Sequence, residues 1–269
     1  MNQPLDLGVK ESIAALLKLL LEKNSKYGAD EQYHATHLVR HTRTLEVLLE
    51  QNLGNQMLEV GTSSIIPVAL KTLAPNLKVD VTHFDLDMPI SGTMPIFFGD
   101  FKLEVDYMAV DLETMPLPVK DTTYDSILCS EVLEHLDSDP MYMLAELNRV
   151  LKMGGSLILT TPNVCSTQGL WKILRGHEPY FYMQYHKDGS RYRHNYEYSK
   201  RTLKTVLEAA GFQVTIWTEN TFEKPVLEDL ERLKIAGYEL DPSEMGDNLF
   251  VIAKKISKVK DRYPAVIYV

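Results

Sequence analysis

Tyr124-Asp-Ser-Ile-Leu-Cys-Ser-Glu-Val-Leu-Glu-His-Leu136, with Leu147-Asn-Arg-Val-Leu-Lys-Met-Gly-Gly-Ser-Leu-Ile-Leu-Thr-Thr-Pro-Asn163 shortly after it, decides the fold of this 269-residue chain. Residues 126–129 are a short apolar run of the length of a buried strand. Residues 131–136 are expected to open a helix at that strand's C-terminal end. Pro140 suits the first turn of the next helix, where no N–H is lost. Met141, Leu144, Leu147 and Leu151 then follow at spacings of three and four, which makes one apolar face. Gly154-Gly155 is expected to stop that helix, because glycine takes the left-handed conformation cheaply. Residues 157–159 read as a second buried strand, closed by Pro162. Strand, helix, glycine stop and strand make a parallel βαβ unit.

Upstream, Met57-Leu-Glu-Val-Gly61 reads as the first core strand. Ser63-Ser64 can cap the helix that follows, and Val68, Ala69, Leu70 and Leu73 continue its inner face. Such a strand, tight turn and helix N-terminus form the place where nucleotide-like ligands bind in doubly wound sheets. Val79, Val81 and His83 alternate as a second strand, which runs out into Phe84-Asp85-Leu86-Asp87. A carboxylate here can accept from both ribose hydroxyls of such a ligand, and register favours Asp85 over Asp87. Residues 89–101 hold Gly92, Pro95 and Gly99 and read as turn chemistry, and residues 107–110 read as a third strand ending at Asp111.

The quoted segments, together with Asp111-Leu-Glu-Thr-Met-Pro-Leu-Pro, resemble in order and spacing the second half of Rossmann-like, class I S-adenosylmethionine (SAM)-dependent methyltransferases. The resemblance covers roughly residues 56–255. It implies an α/β fold with a doubly wound, mostly parallel seven-stranded sheet. It also implies N-terminal helices in residues 1–55 acting as a cap or lid, an insertion after the fifth strand at 164–198, and a C-terminal tail from 256 to 269. The implied cofactor is SAM, held by Glu59, Gly61, Thr62, Asp85, Leu86, Asp111, Leu112 and Ser130. Within that set, Asp111 and Leu112 are expected at the adenine and Ser130 near the methionyl part. The glycine pattern departs from the family: Ser63 and Ile65 stand where it has glycine. His135 is expected to shape its loop and helix rather than to act as a base.

Residues 164–198 break from helix and strand periodicity. They carry Trp171, Tyr180, Phe181, Tyr182, Tyr185, Tyr192, Tyr196 and Tyr198, with His177, His186 and His194. Aromatic faces with polar tips suit sugars or small aromatics, and equally suit a packed subdomain. Lys187, Arg191 and Arg193 are placed to meet an anionic group on a substrate. The expected reaction is methyl transfer to a small-molecule or glycan acceptor, at oxygen. His194 is the first expected base, His186 the second, and Tyr196 orients the acceptor. The rival reading is a non-catalytic SAM-fold binding or scaffold protein. A dinucleotide oxidoreductase is disfavoured because Gly-x-Gly-x-x-Gly is absent after the first strand.

Composition agrees with a globular chain. Hydrophobic residues make up 45% and charged residues 24%, and the formal net charge of −9 argues against a nucleic-acid partner. Two cysteines, Cys129 and Cys165, form no Cys-x-x-Cys pair, and no His, Cys or acidic spacing indicates a metal site. The N-terminus lacks the pattern of a signal peptide and no apolar run has membrane-spanning length, so a cytoplasmic location with no membrane partner is expected. Near the N-terminus, residues 13–21 and 36–53 carry helical apolar stripes. Between them, 24–37 reads as a loop or lid with Tyr27, Tyr33, His34 and His37. Downstream, a helix capped by Ser199 and ended by Gly211, a strand at 212–218, a charged helix at 226–236 and an apolar strand at 248–254 complete the chain.

Overall fold

The computed structural model describes residues 7–24, 29–98, 101–187, 192–222 and 224–269. The strands are β1 (Gln56–Val60), β2 (Lys78–His83), β3 (Ser91–Phe98), β4 (Phe101–Ala109), β5 (Tyr124–Ser130), β6 (Leu151–Pro162), β7 (Phe212–Glu219) and β8 (Asn248–Lys255). The helices are α1 (Leu7–Asn24), α2 (Ala29–Thr36), α3 (Leu38–Leu49), α4 (Ile65–Leu73), α5 (Pro140–Val150), α6 (Thr167–Leu174), α7 (Lys200–Ala209) and α8 (Leu227–Ile235). The strands form one sheet of order β3-β4-β2-β1-β5-β6-β8-β7. It is the α/β, mostly parallel arrangement expected, with eight strands in place of seven.

The extra strand is β3. Gly92 and Pro95, read from sequence as turn residues, lie in a strand paired antiparallel to β4, with Gly92 opposite Tyr107 and Pro95 opposite Glu104. An edge position explains both. Proline lacks a ladder N–H, which an edge strand does not need. A Cβ on Gly92 would lie 3.0 Å from the Tyr107 ring, so glycine lets the aromatic ring cover the strand.

Two further expectations change. Residues 131–136 form only a short 3-10 turn, Leu133–His135, because Leu136 is already extended at ψ 136°. Helix α5 ends at Val150, and Leu151 opens β6, so Gly154-Gly155 lies inside the strand rather than stopping the helix. Gly154 takes φ 78°. A Cβ on Gly155 would lie 2.7 Å from the backbone oxygen of Asp125 and 2.9 Å from Leu151 Cδ1. The second glycine is therefore required by close approach to β5.

The chain divides into two compact units, Met1–Leu128 with Arg149–Ile158, and Cys129–Asn148 with Leu159–Val269. In the first, β1 and β4 both pair parallel to β2. Helix α1 packs on α3, α4 and β3, and buries Ile13, Leu17 and Leu20, so the N-terminal helices share a unit with β1–β4. The segment expected as a loop or lid contains α2; Tyr27 lies outside the described residues. His34 Nδ1 meets His41 Nε2 at 3.2 Å across α2 and α3. Burial lowers the His41 pKa to about 2, with Arg40 adding to the effect, so this ring is neutral.

In the second unit β7 and β8 pair antiparallel from Phe212–Lys255 to Glu219–Asn248, with α7 against β7. Ser199 Oγ caps α7 by accepting from Thr202 N at 3.1 Å, and Gly211 follows at φ 94°. The C-terminal tail docks through Arg262, which donates to both Asp139 oxygens at 2.9 and 2.6 Å. No helix among the described residues is long and apolar enough to cross a membrane.

The close approach at Gly155 makes a stability prediction. Gly155→Ala should lower unfolding free energy by ~1–3 kcal/mol, the scale of overpacking against a backbone that cannot retreat. Urea denaturation of both proteins reads this directly, and an unchanged midpoint would show that β6 yields to the methyl group.

Candidate active site

In the first unit the parallel register sets a row of turns. Glu59 pairs with Val81, and Val81 with Tyr107. Carried forward, Gly61, His83 and Ala109 stand level, so Asp85 and Asp111 each lie two residues beyond their strands. Gly61 takes φ 66° and Ser64 φ 60°, so the chain after β1 turns sharply in a left-handed conformation. Gly61 N donates to Thr82 Oγ1 at 2.7 Å, which locks that turn to β2.

Glu59 lies within β1 and is 2% exposed. Its Oε1 accepts from Ser63 Oγ at 2.7 Å and from Ser63 N at 3.3 Å. Ser63 Oγ in turn accepts from Ile66 N at 3.2 Å in the first turn of α4. The serine that replaces a glycine of the family pattern is therefore a link between the acid and the helix start. Glu59 Oε2 is buried and has no hydrogen-bond partner among the described residues. Burial pushes the Glu59 carboxyl up to about 7, against the lowering effect of the Ser63 bonds.

The other first-unit positions keep oxygen atoms available. Asp85 is exposed, and its Oδ1 accepts from Asp87 N at 3.1 Å. Asp111 Oδ1 accepts from Glu113 N at 2.9 Å in the turn after β4. Thr62 Oγ1 accepts from Ser64 N at 3.3 Å, and Leu86 is 52% exposed. Ser130, the last residue of β5, belongs to the second unit, where its Oγ lies 2.8 Å from Thr160 Oγ1.

The second unit holds His135, His177, His186 and His194. The insertion begins and ends together: Val164 N donates to Tyr198 O at 3.2 Å, and Asn163 bridges to Tyr198. Between these ends lies α6, a helix that periodicity did not reveal, capped by Ser166 Oγ accepting from Gly169 N at 2.9 Å. The returning strand of the loop is pinned to the turn after β5, since Asn195 N and Tyr196 N donate to Glu134 O at 2.8 and 3.2 Å. His194 Nδ1 lies 2.6 Å from Glu197 Oε1, which also accepts from Phe181 N at 2.6 Å. His135 Nδ1 donates to Arg193 O at 2.9 Å, and its ring stacks on Tyr192 at 4.6 Å. Burial, then the neighbouring His194, lowers the His135 pKa to about 4, so that ring is neutral near pH 7. Glu131 adopts φ 55° at the start of this turn, a strained backbone for a non-glycine residue.

The three residues expected to act on an acceptor sit differently. His194 has an ordered imidazole whose Nε2 is left available once Nδ1 is committed to Glu197. His186 Nε2 lies 2.7 Å from Tyr192 O and 2.9 Å from the Tyr182 hydroxyl, so this nitrogen is engaged within the loop. Tyr196 is 40% exposed and meets the Tyr198 ring edge-on at 4.8 Å. Of the basic residues, Arg193 covers the Tyr185 ring at 4.4 Å, and Arg191 lies outside the described residues. Glu134 and Glu197 are absent from the sequence expectation. The spacing of three in His194-Asn-Tyr-Glu197 and the adjacency of Glu134 to His135 are the signals available for them.

The sheet order, the left-handed turn after β1 and the acids beyond β2 and β4 define a Rossmann-like protein that binds a nucleoside cofactor. Residues 31–215 match the methyltransferase-domain family, and the chain belongs to it. It is a SAM-dependent methyltransferase. Similar solved structures include a SAM-dependent methyltransferase from Archaeoglobus fulgidus, 17% identical with a TM-score of 0.52 over 87% of this chain and 98% of that one. A possible histamine N-methyltransferase from Thermotoga maritima is 19% identical with a TM-score of 0.52 over 84% and 94%. A Haloferax volcanii putative methyltransferase, solved in complex with the methyltransferase activator Trm112, is 15% identical with a TM-score of 0.53 over 88% and 98%. At these identities the likeness concerns the fold. Comparison with curated proteins gives no match. The first-unit residues fit the cofactor on one structural observation: a buried carboxylate oxygen, Glu59 Oε2, lacks a donor among the described residues, and SAM brings cationic and N–H groups.

Glu59 makes the cofactor-free protein sensitive to pH. In the fold its carboxyl holds its proton up to about pH 7, whereas the unfolded chain loses it near 4.5. Between those values the native state binds more protons, so stability falls as pH rises. Glu59→Gln cannot ionise and lacks this component. Denaturation from pH 5 to 8 should show the variant gaining on the wild type, with a limit of ~3 kcal/mol from the cost of a shifted pKa. A gap that stays constant with pH would show that Glu59 is not a buried ionisable group.

Proposed function

We propose that this methyltransferase acts on an oxygen of a small-molecule or glycan acceptor bound over residues 164–198, and that His194 activates the acceptor. The observation that carries the reading is the 2.6 Å contact between His194 Nδ1 and the buried Glu197 carboxylate. This contact orients the ring and leaves Nε2 available to act on a hydroxyl. A hydroxyl is a weak nucleophile until its proton is drawn away, which is the service such a pair supplies. The exposed rings of Tyr185, Tyr192 and Tyr196, with their phenolic tips, support a sugar-like or small aromatic acceptor.

In this reading the cofactor supplies an electrophilic methyl on a sulfonium. Glu59 and the turn of Gly61 and Thr62 hold its methionyl end. Asp85 accepts from the ribose hydroxyls, with Leu86 beside it, and Asp111 and Leu112 meet the adenine. The chain's main task is alignment, since an in-line displacement depends on the approach of the nucleophile.

Two measurements test the halves separately. Asp85→Ala should weaken SAM binding by ~1–3 kcal/mol in calorimetry, the scale of hydrogen bonds to a charged group; unchanged affinity would place the ribose elsewhere. For the acceptor, the transfer of labelled methyl from SAM to a panel of sugars and phenols identifies a substrate. His194→Ala should then lower turnover by ~10²–10⁴ with SAM affinity unchanged. Normal turnover together with normal acceptor affinity would remove His194 from the reaction.

A further inference from the structure

Three side chains of the second unit converge more closely than an acceptor site needs. Glu134, His135 and His194 each offer a ligand atom, and these atoms lie within 4.8 Å of one another. Both histidines have Nδ1 committed to an oxygen acceptor, Arg193 O at 2.9 Å for His135 and Glu197 Oε1 at 2.6 Å for His194. Each ring therefore presents Nε2 with its lone pair. The carboxylate is held as well, with Thr161 Oγ1 donating to Glu134 Oε2 at 2.9 Å. Orientation of every ligand by a partner of its own is the arrangement found behind protein-bound metals, where the far N–H of a ligating histidine is donated to a carboxylate or carbonyl.

We propose that Glu134, His135 and His194 bind a divalent first-row transition-metal cation, with open positions for an oxygen of the acceptor. Two imidazoles and one carboxylate suit zinc, manganese, iron or cobalt better than magnesium or calcium, which prefer oxygen throughout. Three protein ligands leave the remaining coordination to water or substrate, as in catalytic sites. The rings are rigidly placed, His135 stacked on Tyr192 at 21° between planes and meeting His194 edge-on at 4.9 Å between centroids. Glu197 and Thr161 are positioning residues, acting through the ligands.

The inference rests on the proposed location of the acceptor and specifies how His194 acts there, which is through the cation. A hydroxyl bound to the cation is more acidic and loses its proton to water. The resulting oxygen forms a bond to the methyl carbon as the carbon–sulfur bond breaks. The electron pair goes to sulfur, and the sulfonium becomes a neutral thioether.

The test uses the full chain stripped with a chelator and titrated with Co²⁺ alone, without SAM or acceptor. The expected result is one saturable site with a visible ligand-field band. Glu134→Gln and His194→Ala, each checked for native circular dichroism, should weaken binding by at least ~10-fold, and Glu197→Gln, likewise checked, which removes the carboxylate behind His194 and leaves an amide oxygen that can still accept from Phe181 N, by ~10–100-fold. The Glu197 variant keeps the test valid where removal of a ligand impairs folding. Absence of saturable binding, or equal binding by wild type and all three variants, overturns the metal site. Because no turnover is measured, this outcome is separate from that of the acceptor reading. Loss of turnover in His194→Ala with no cobalt bound by the wild type would leave the acceptor reading standing and remove the cation.

Discussion

The Asp125 side chain is the fastening on which the middle of the first unit depends. Its Oδ2 accepts from the backbone N–H groups of Asn55 and Gln56, each at 3.1 Å, where β1 begins. Its Oδ1 accepts from Lys152 Nζ at 2.6 Å, at the start of β6. Burial pushes this carboxyl up, but the Lys152 ammonium and the two N–H groups outweigh it and hold the pKa below its ordinary value. The glycines on either side follow from the same crowding. A Cβ on Gly54 would lie 2.3 Å from Asp125 Cβ, and one on Gly155 2.7 Å from its carbonyl oxygen. One carboxylate thus sets where β1 starts, and the start of β1 sets how far Glu59 and Gly61 lie along it.

Glu59 shows how a departure from a family pattern is accommodated. A serine in place of glycine adds a hydroxyl beside a buried acid, and the hydroxyl is used in both directions, donating to Glu59 and accepting from Ile66 N. The remaining Glu59 oxygen, buried without a donor, is a cost the fold bears without cofactor.

The second unit gives its polar residues a different task. Backbone and side-chain bonds from the turn after β5 capture the end of the insertion: the Glu134 carbonyl holds Asn195 and Tyr196, and the His135 carbonyl accepts from Asn195 Nδ2 at 2.9 Å. With the backbone secured in this way, the side chains of Glu134, His135 and His194 are brought to one place and keep their orientation through Thr161, Arg193 and Glu197. A rigid first set of ligands and a second set behind them is what distinguishes this cluster from scattered surface histidines.

Local spacing carries a good part of this chain's design. Strands β1, β2, β5 and β8, helix α5 with its Pro140 start, the Ser199 cap and the Gly211 stop all follow from apolar periodicity and from residues with one conformational use. These are properties of neighbouring residues, which the sequence states directly. The positions of Glu59, Asp85 and Asp111 at strand ends follow too, because strand boundaries locate them. The tertiary structure alone decided the edge strand β3, the early end of α5, the short turn in place of a helix at Leu133–His135, and the grouping of Glu134 with His194. Each turns on contacts between segments far apart in the chain: the bond from Asn195 to His135 spans 60 residues. Such a contact leaves no period in the sequence, and which nitrogen of a histidine stays available is settled only by what the folded chain places against the other.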